Sequence, residues 1–131
     1  MKVIIVTHGP LARAFVESAK LILGDTVDSY VDIIDFYPYD SMETIKEKIR
    51  FQIELLDKRE NNVIVLTDLK GGTPFNAAVS LLQDYKFYLI AGINLPMLLE
   101  ILLTSSEELD SKIIQKIIEI ARENITVMYP G

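Results

Sequence analysis

The sequence contains no cysteine and only one histidine, His8, among its 131 residues. The absence of cysteine excludes structural disulfides, thiolate metal sites and cysteine nucleophiles. It also fits a reducing compartment, and we therefore expect a cytoplasmic location.

Basic charge and long apolar runs are also scarce. Thirteen Lys and Arg residues face 19 Asp and Glu residues, which gives a net charge of −6 and argues against a nucleic-acid partner. The most apolar stretch, Tyr88 to Leu103, is interrupted by Asn94, Pro96 and Glu100, and falls short of the roughly 20 residues that a membrane span needs. The first six residues are too short for a signal peptide.

Half of the residues are apolar, which suffices for the core of one domain spanning 1–131. Short apolar runs, the first of them β-branched, alternate with helical patterns, and a final strand is predicted at 125–129. The other predicted strands are Val3–Val6, Tyr30–Phe36, Val63–Thr67 and Phe87–Ala91. Three predicted helices have both ends marked, at Leu11 to Gly24, Pro96 to about Leu103 and Ser106 to Asn124. Another begins with a capping box at Asp40 and Glu43 and runs to about Glu60. The remaining helix begins at an N-cap, Thr73.

This alternation predicts an α/β fold with an open, mostly parallel sheet and helices on both faces. The simplest strand order is 2-1-3-4. The topological switch then lies between strands 1 and 3, where ligands collect at the carboxyl ends of the strands.

The loops after predicted strands 1 and 3 contain His8 and Asp68, which should meet at this switch. An imidazole can act as both nucleophile and leaving group, and a carboxylate on one ring nitrogen leaves the other nitrogen free to attack. Gly71 and Gly72 allow close backbone approach, and the helix start at Thr73 offers N–H groups to phosphoryl oxygens. We predict phosphoryl transfer at His8.

Each feature taken alone has a simpler explanation. A single histidine at a strand end is often only a polar loop residue, and an aspartate there is often a turn or cap residue. The glycine segment is not a P-loop, because the Lys-Ser/Thr pair after the second glycine is missing. Lys70 and Arg13 are either partner contacts or solvated surface cations.

Three segments together resemble the IIA component of the mannose-type (mannose/fructose/sorbose) phosphoenolpyruvate-dependent sugar phosphotransferase system, the PTS. They start at Ile4, Thr67 and Ala91 and read IIVTHG, TDLKGGTPFNAA and AGINLPMLLE. The resemblance covers nearly the whole chain and is weakest after about Ser105. An aromatic residue is common in the family where Lys70 stands, and Thr73 replaces a serine.

The resemblance implies that His8 is phosphorylated, that Asp68 is its hydrogen-bond partner, and that Gly71, Gly72 and Thr73 cradle the phosphoryl group. An Asp68 contact at Nδ1 would place the phosphoryl group on Nε2, as tele-phosphohistidine. The implied donor is phosphorylated HPr and the implied acceptor is a separate mannose-type IIB component, which serves the membrane components IIC and IID. A homodimer is also implied, with 125–129 as an antiparallel strand at its interface.

We expect no cofactor and no metal, because the phosphoryl group arrives already activated and no acidic metal cluster is evident. Two alternatives remain open. One is a relay subunit for a dihydroxyacetone kinase, disfavoured by the Gly-Gly-Thr-Pro-Phe-Asn segment. The other is a regulatory domain controlled by histidine phosphorylation.

Overall fold

The computed structural model describes residues 1–57, 60, 62–104 and 109–131, in which strands and helices alternate. The strands are β1 (Lys2–His8), β2 (Val31–Phe36), β3 (Val63–Thr67) and β4 (Tyr88–Ala91). The helices are α1 (Leu11–Leu23), α2 (Met42–Glu54), α3 (Thr73–Leu81), α4 (Leu95–Leu103) and α5 (Ser111–Glu123). A short 3-10 helix at Asp25–Ser29, which the sequence analysis does not predict, joins α1 to β2.

The four strands form one parallel sheet in the order β2-β1-β3-β4, which confirms the predicted fold class and strand order. Strand β1 lies between β2 and β3. Its register pairs His8 with Phe36 on one side and Val6 with Thr67 on the other. The carboxyl ends of these three strands therefore lie at the same edge of the sheet.

Side chains of β1 alternate between two cores, one on each face of the sheet. Val3 and Ile5 pack with α1, α4 and α5, and Ile4 and Val6 pack with α2 and α3. All four side chains are fully buried. Burying a side chain of this size stabilises the fold by about 1.5–3 kcal/mol, so β1 is firmly anchored below His8.

The start of α2 differs from the predicted capping box. Ser41 is the N-cap, and its hydroxyl oxygen accepts a hydrogen bond from the N–H of Thr44 at 3.1 Å. The Asp40 carboxylate instead accepts from the N–H of Tyr37 at 2.8 Å, because it closes the preceding turn. The helix ends at Glu54, earlier than the predicted end near Glu60.

Two other helix starts are also corrected. Helix α3 has Gly72 as its N-cap, with Thr73 as its first residue and Pro74 in the first turn. Helix α5 begins at Ser111, where the Asp110 carboxylate accepts from the N–H of Ile113 at 2.9 Å. The predicted start at Ser106 lies outside the described residues.

Residues 125–129 form no strand in the single chain. Ile125, Val127, Met128 and Tyr129 are all more than half exposed. A strand needs a neighbouring strand to pair with, so pairing in a dimer stays a prediction.

Within the described ranges, no helix combines the length and apolar character needed to cross a bilayer.

Candidate functional site

The imidazole of His8 and the carboxylate of Asp68 are in direct contact, although the two residues are 60 positions apart. The distance from Nδ1 of His8 to Oδ2 of Asp68 is 2.9 Å. Oδ2 also accepts from the backbone N–H of His8 at 3.0 Å, and Oδ1 accepts from the backbone N–H of Leu69 at 3.0 Å. Both oxygens are thus held, and the carboxylate cannot rotate away without losing several hydrogen bonds.

The contact also sets the tautomer of the ring. An ionised carboxylate can only accept, so in the neutral ring Nδ1 carries the proton and Nε2 keeps its lone pair. The His8 side chain is 43% exposed, whereas that of Asp68 is only 11% exposed. Nε2 therefore belongs to an accessible ring whose hydrogen-bond partner is largely buried.

The pKa of the Asp68 carboxyl lies below its ordinary value, despite the opposing effect of burial. Desolvation by burial alone would raise this pKa, because it disfavours the charged form. The hydrogen bonds from the backbone and ring of His8, the coulombic interaction with His8 and a hydrogen bond from the backbone of Asp68 itself lower it. Asp68 is therefore ionised at neutral pH and is available as an acceptor.

The double glycine lies directly against the imidazole. Gly71 has a φ of +81°, a backbone conformation that residues other than glycine rarely adopt. The N–H of Gly72 donates to the carbonyl of Leu69 at 3.1 Å, which closes the turn. A Cβ atom added to Gly72 would lie 3.3 Å from Cε1 of His8, so the missing side chain leaves room for the ring.

The amino end of α3 follows this turn. The N–H of Asn76 is the first to bond back, to the carbonyl of Gly72 at 2.9 Å. Within the described residues, the N–H groups of Thr73 and Phe75 have no acceptor, and Pro74 has no N–H. Free N–H groups and the helix dipole together favour an anion at this position.

The two predicted partner contacts, Arg13 and Lys70, have different surroundings. The guanidinium of Arg13, on α1, lies 3.5 Å from the Asp35 carboxylate at the end of β2. Lys70 is exposed, and no carboxylate lies within ion-pair distance of it in the described part of the chain. Both cations are thus on the surface, one of them already paired.

The sequence analysis missed two residues that shape the site. The ring of Phe36 contacts that of His8 edge-on, with the centroids 5.3 Å apart and the planes at 89°. The Thr7 hydroxyl oxygen accepts from the N–H of Ala12 at 2.7 Å and so fixes the start of α1. The predicted strand order is the feature that could have indicated Phe36, because it places the carboxyl ends of strands 1 and 2 side by side.

No group of three or more potential metal ligands gathers anywhere in residues 1–57, 60, 62–104 or 109–131. The groups that the described site brings together are the imidazole, the carboxylate and the backbone N–H groups around them.

Comparison with known proteins identifies the family. Residues 2–119 match the family model described as "PTS system fructose IIA component". The chain belongs to this family. It is 34% identical over 128 residues to the PTS system mannose-specific EIIAB component of Escherichia coli, and it is 32% identical over 124 residues to the PTS system sorbose-specific EIIA component of Lacticaseibacillus casei.

The alignments cover 96% and 94% of this chain, respectively. The chain spans only 39% of the Escherichia coli relative but 87% of the one from Lacticaseibacillus casei. A solved structure of a phosphotransferase system EIIA component from Streptococcus agalactiae superposes with a TM-score of 0.85 at 31% identity, covering 96% of this chain and 95% of the other. A mannose/sorbose-specific IIA subunit from Enterococcus faecalis superposes with a TM-score of 0.83 at 26% identity, covering 99% and 96%.

Proposed function

We propose that this chain is a phosphoryl carrier that accepts a phosphoryl group on Nε2 of His8 and passes it on during sugar uptake. The observation that carries the proposal is the 2.9 Å contact between Nδ1 of His8 and Oδ2 of Asp68. With the proton on Nδ1, the lone pair of the neutral ring lies on Nε2. Membership of the IIA family supports the same reading.

In the first half-reaction, the Nε2 lone pair of His8 attacks phosphorus on the donor, phosphorylated HPr. A nitrogen–phosphorus bond forms as the bond from phosphorus to the donor breaks, and the donor atom keeps that electron pair. Nδ1 keeps its proton, and Asp68 stabilises the positive charge that develops on the ring.

The phosphoryl oxygens need donors while the group is transferred. Gly71, Gly72 and Thr73 form the cradle in our proposal. Gly72 provides clearance beside the ring, because it has no side chain. Its own N–H is already bonded to the Leu69 carbonyl and is not a donor to the phosphoryl group. The free N–H and the hydroxyl of Thr73 are the donors, and Gly71 supplies the turn that exposes them. Positioning and charge stabilisation account for most of the catalysis in phosphoryl transfer.

In the second half-reaction, a nucleophile of a mannose-type IIB component attacks the phosphorus on His8, and the bonding electrons return to Nε2. The IIB component then transfers the phosphoryl group to the sugar during its uptake through the membrane components IIC and IID. The relay would operate in the cytoplasm. Lys70 and Arg13 are proposed as partner contacts, because both cations lie on exposed surface.

The decisive experiment is phosphorylation of the purified protein by labelled phosphoenolpyruvate, enzyme I and HPr. We expect an acid-labile label on the wild type and none on His8→Ala. A Lys20→Ala variant, which changes a distant surface residue, is the matched control and should be labelled normally. Label on His8→Ala would contradict the proposal.

The labelled protein also distinguishes the acceptors. We expect it to discharge to a mannose-type IIB protein and not to a dihydroxyacetone kinase. Discharge to the kinase alone would favour the relay-subunit alternative. A stable label that neither acceptor removes would favour a regulatory role.

A homodimer is part of the same proposal. The exposed apolar side chains of Val127, Met128 and Tyr129 give residues 125–129 a surface that a second copy would cover. Strand β4 has a free edge in the described sheet, to which such a segment could pair. Sedimentation analysis should give a dimer for the wild type and a monomer for a Val127→Asp/Met128→Asp variant. A monomeric wild type would contradict this part.

A further inference from the structure

The hydrogen bond to Asp68 holds one corner of the His8 ring and leaves its tilt to other contacts. A ring held by a single N–H···O bond can still rock about that bond. Phosphoryl transfer is sensitive to such motion, because the attacking nitrogen and the phosphorus must be well aligned. The second contact that limits rocking should come from a different direction.

Phe36 provides that contact. Strand β1 lies between β2 and β3, so Phe36, at the end of β2, and Asp68, just after β3, flank His8 on opposite sides. The two rings are perpendicular within 1°, with their centroids 5.3 Å apart. This edge-to-face arrangement is favourable for aromatic pairs. Rocking the imidazole would separate the rings or press them together.

Phe36 is itself held in place. It is partly buried and packs against the core cluster between the sheet and helices α2 and α3. Its carbonyl oxygen accepts a 2.7 Å hydrogen bond from the N–H of Gly9, which ties β2 to the residue after His8. A side chain anchored in the core can fix the orientation of a neighbour more firmly than a solvated one can.

We propose that Phe36 is a positioning residue for phosphoryl transfer, which sets the tilt of the His8 ring so that Nε2 faces the incoming phosphorus. The inference rests on the proposed function for its kinetic consequence. Its structural consequence, a rigid imidazole, does not depend on any partner.

The test compares Phe36→Leu with Phe87→Leu. Both changes remove an aromatic ring from the same core cluster, but Phe87 precedes β4 at the opposite end of the sheet from His8. Phe36→Tyr is the conservative variant, because it keeps the ring. Since His8 is the only histidine, selective ¹³C and ¹⁵N labelling of histidine gives signals from this ring alone.

We expect relaxation of the His8 Cε1 signal to report increased ring motion in Phe36→Leu and not in Phe87→Leu or Phe36→Tyr. In transfer from phosphorylated HPr, we expect kcat of Phe36→Leu to fall by about tenfold with KM changed by less than about twofold. Phe36→Tyr should restore kcat.

Unchanged ring motion in Phe36→Leu would overturn the inference, and so would equal losses of kcat in Phe36→Leu and Phe87→Leu. If phosphorylated HPr fails to label the wild type, the proposed donor is wrong. The relaxation measurement then still decides whether Phe36 holds the ring.

Discussion

Replacing Asp68 with asparagine removes the charge that faces the His8 ring and keeps the size of the side chain. In the wild type, the carboxylate accepts hydrogen bonds from the ring and backbone of His8 and from the N–H of Leu69. An amide has only one acceptor oxygen, so its NH₂ group must face at least one of these donors. The ring then loses its charged partner or its fixed orientation.

The size of the effect follows from the kind of bond that is lost. Hydrogen bonds to charged groups contribute about 1.5–3 kcal/mol, and the Asp68 side chain is only 11% exposed, so solvent screens it little. Losing that stabilisation of the developing positive charge corresponds to a rate decrease of roughly 10- to 150-fold. KM should change less, because Asp68 lies beneath the exposed ring.

Single-turnover transfer from labelled, phosphorylated HPr measures this rate directly. Asp32→Asn is the matched control, because Asp32 is also ion-paired on the sheet, to Lys2 at 2.9 Å near the amino end of β1. Its transfer rate should match that of the wild type. A folded Asp68→Asn protein that transfers within threefold of the wild-type rate would refute the role assigned to the carboxylate.

Three further predictions concern clearance, pH and capping. Gly72→Ala should slow transfer, because the added Cβ crowds Cε1 of His8 at 3.3 Å, and normal transfer would contradict this. Its φ of −72° suits alanine, so the melting temperature should fall only slightly, through the 3.3 Å contact of the same Cβ with the Leu69 carbonyl oxygen. Because the pKa of Asp68 is lowered in the fold, its stabilisation is present above the ordinary value of 3.8 and is lost as the pH falls through the lowered pKa. Urea denaturation should therefore show that the unfolding free energy falls more between pH 6 and about pH 2.5 in the wild type than in Asp68→Asn. Equal decreases in the two proteins would refute this contribution of Asp68. Ser41→Ala should lower the unfolding free energy by about 1 kcal/mol, measured in urea, because the Thr44 N–H loses its cap; no change would mean that the cap contributes nothing.

The sheet and its order were predictable because the signals are strong and local. Four short apolar runs separated by helical patterns leave few alternatives for a parallel sheet. The meeting of His8 and Asp68 then follows from topology, since each residue comes at the carboxyl end of a neighbouring strand. The sequence does not contain the distance between them, but it does place them on the same edge.

The helix starts were less predictable because several residues compete for each cap. Asp40 and Ser41 are both good N-cap residues, and only the turn at Tyr37 decides that Asp40 bonds backward and Ser41 bonds forward. The contact between Phe36 and His8 was missed for a different reason. An aromatic residue at a strand end usually indicates core packing, and its second role depends on which strand lies beside it.

In the proposed function, one ring nitrogen of His8 serves two reactions. In the described part of the chain, Asp68 bonds Nδ1 and Phe36 contacts the ring edge-on, and a Cβ added to Gly72 would lie 3.3 Å from Cε1. Nε2 is therefore the ring nitrogen left to bond phosphorus in the proposed reaction. Donor and acceptor proteins must then approach the same atom, so they bind in turn and not together. Both half-reactions need the same ring orientation, but the positive charge that Asp68 stabilises develops only during loading and disappears during discharge. Losing Asp68 should therefore slow loading more than discharge. A variant that slows discharge but not loading acts on a contact with the acceptor, such as the one proposed for Lys70, and not on the ring.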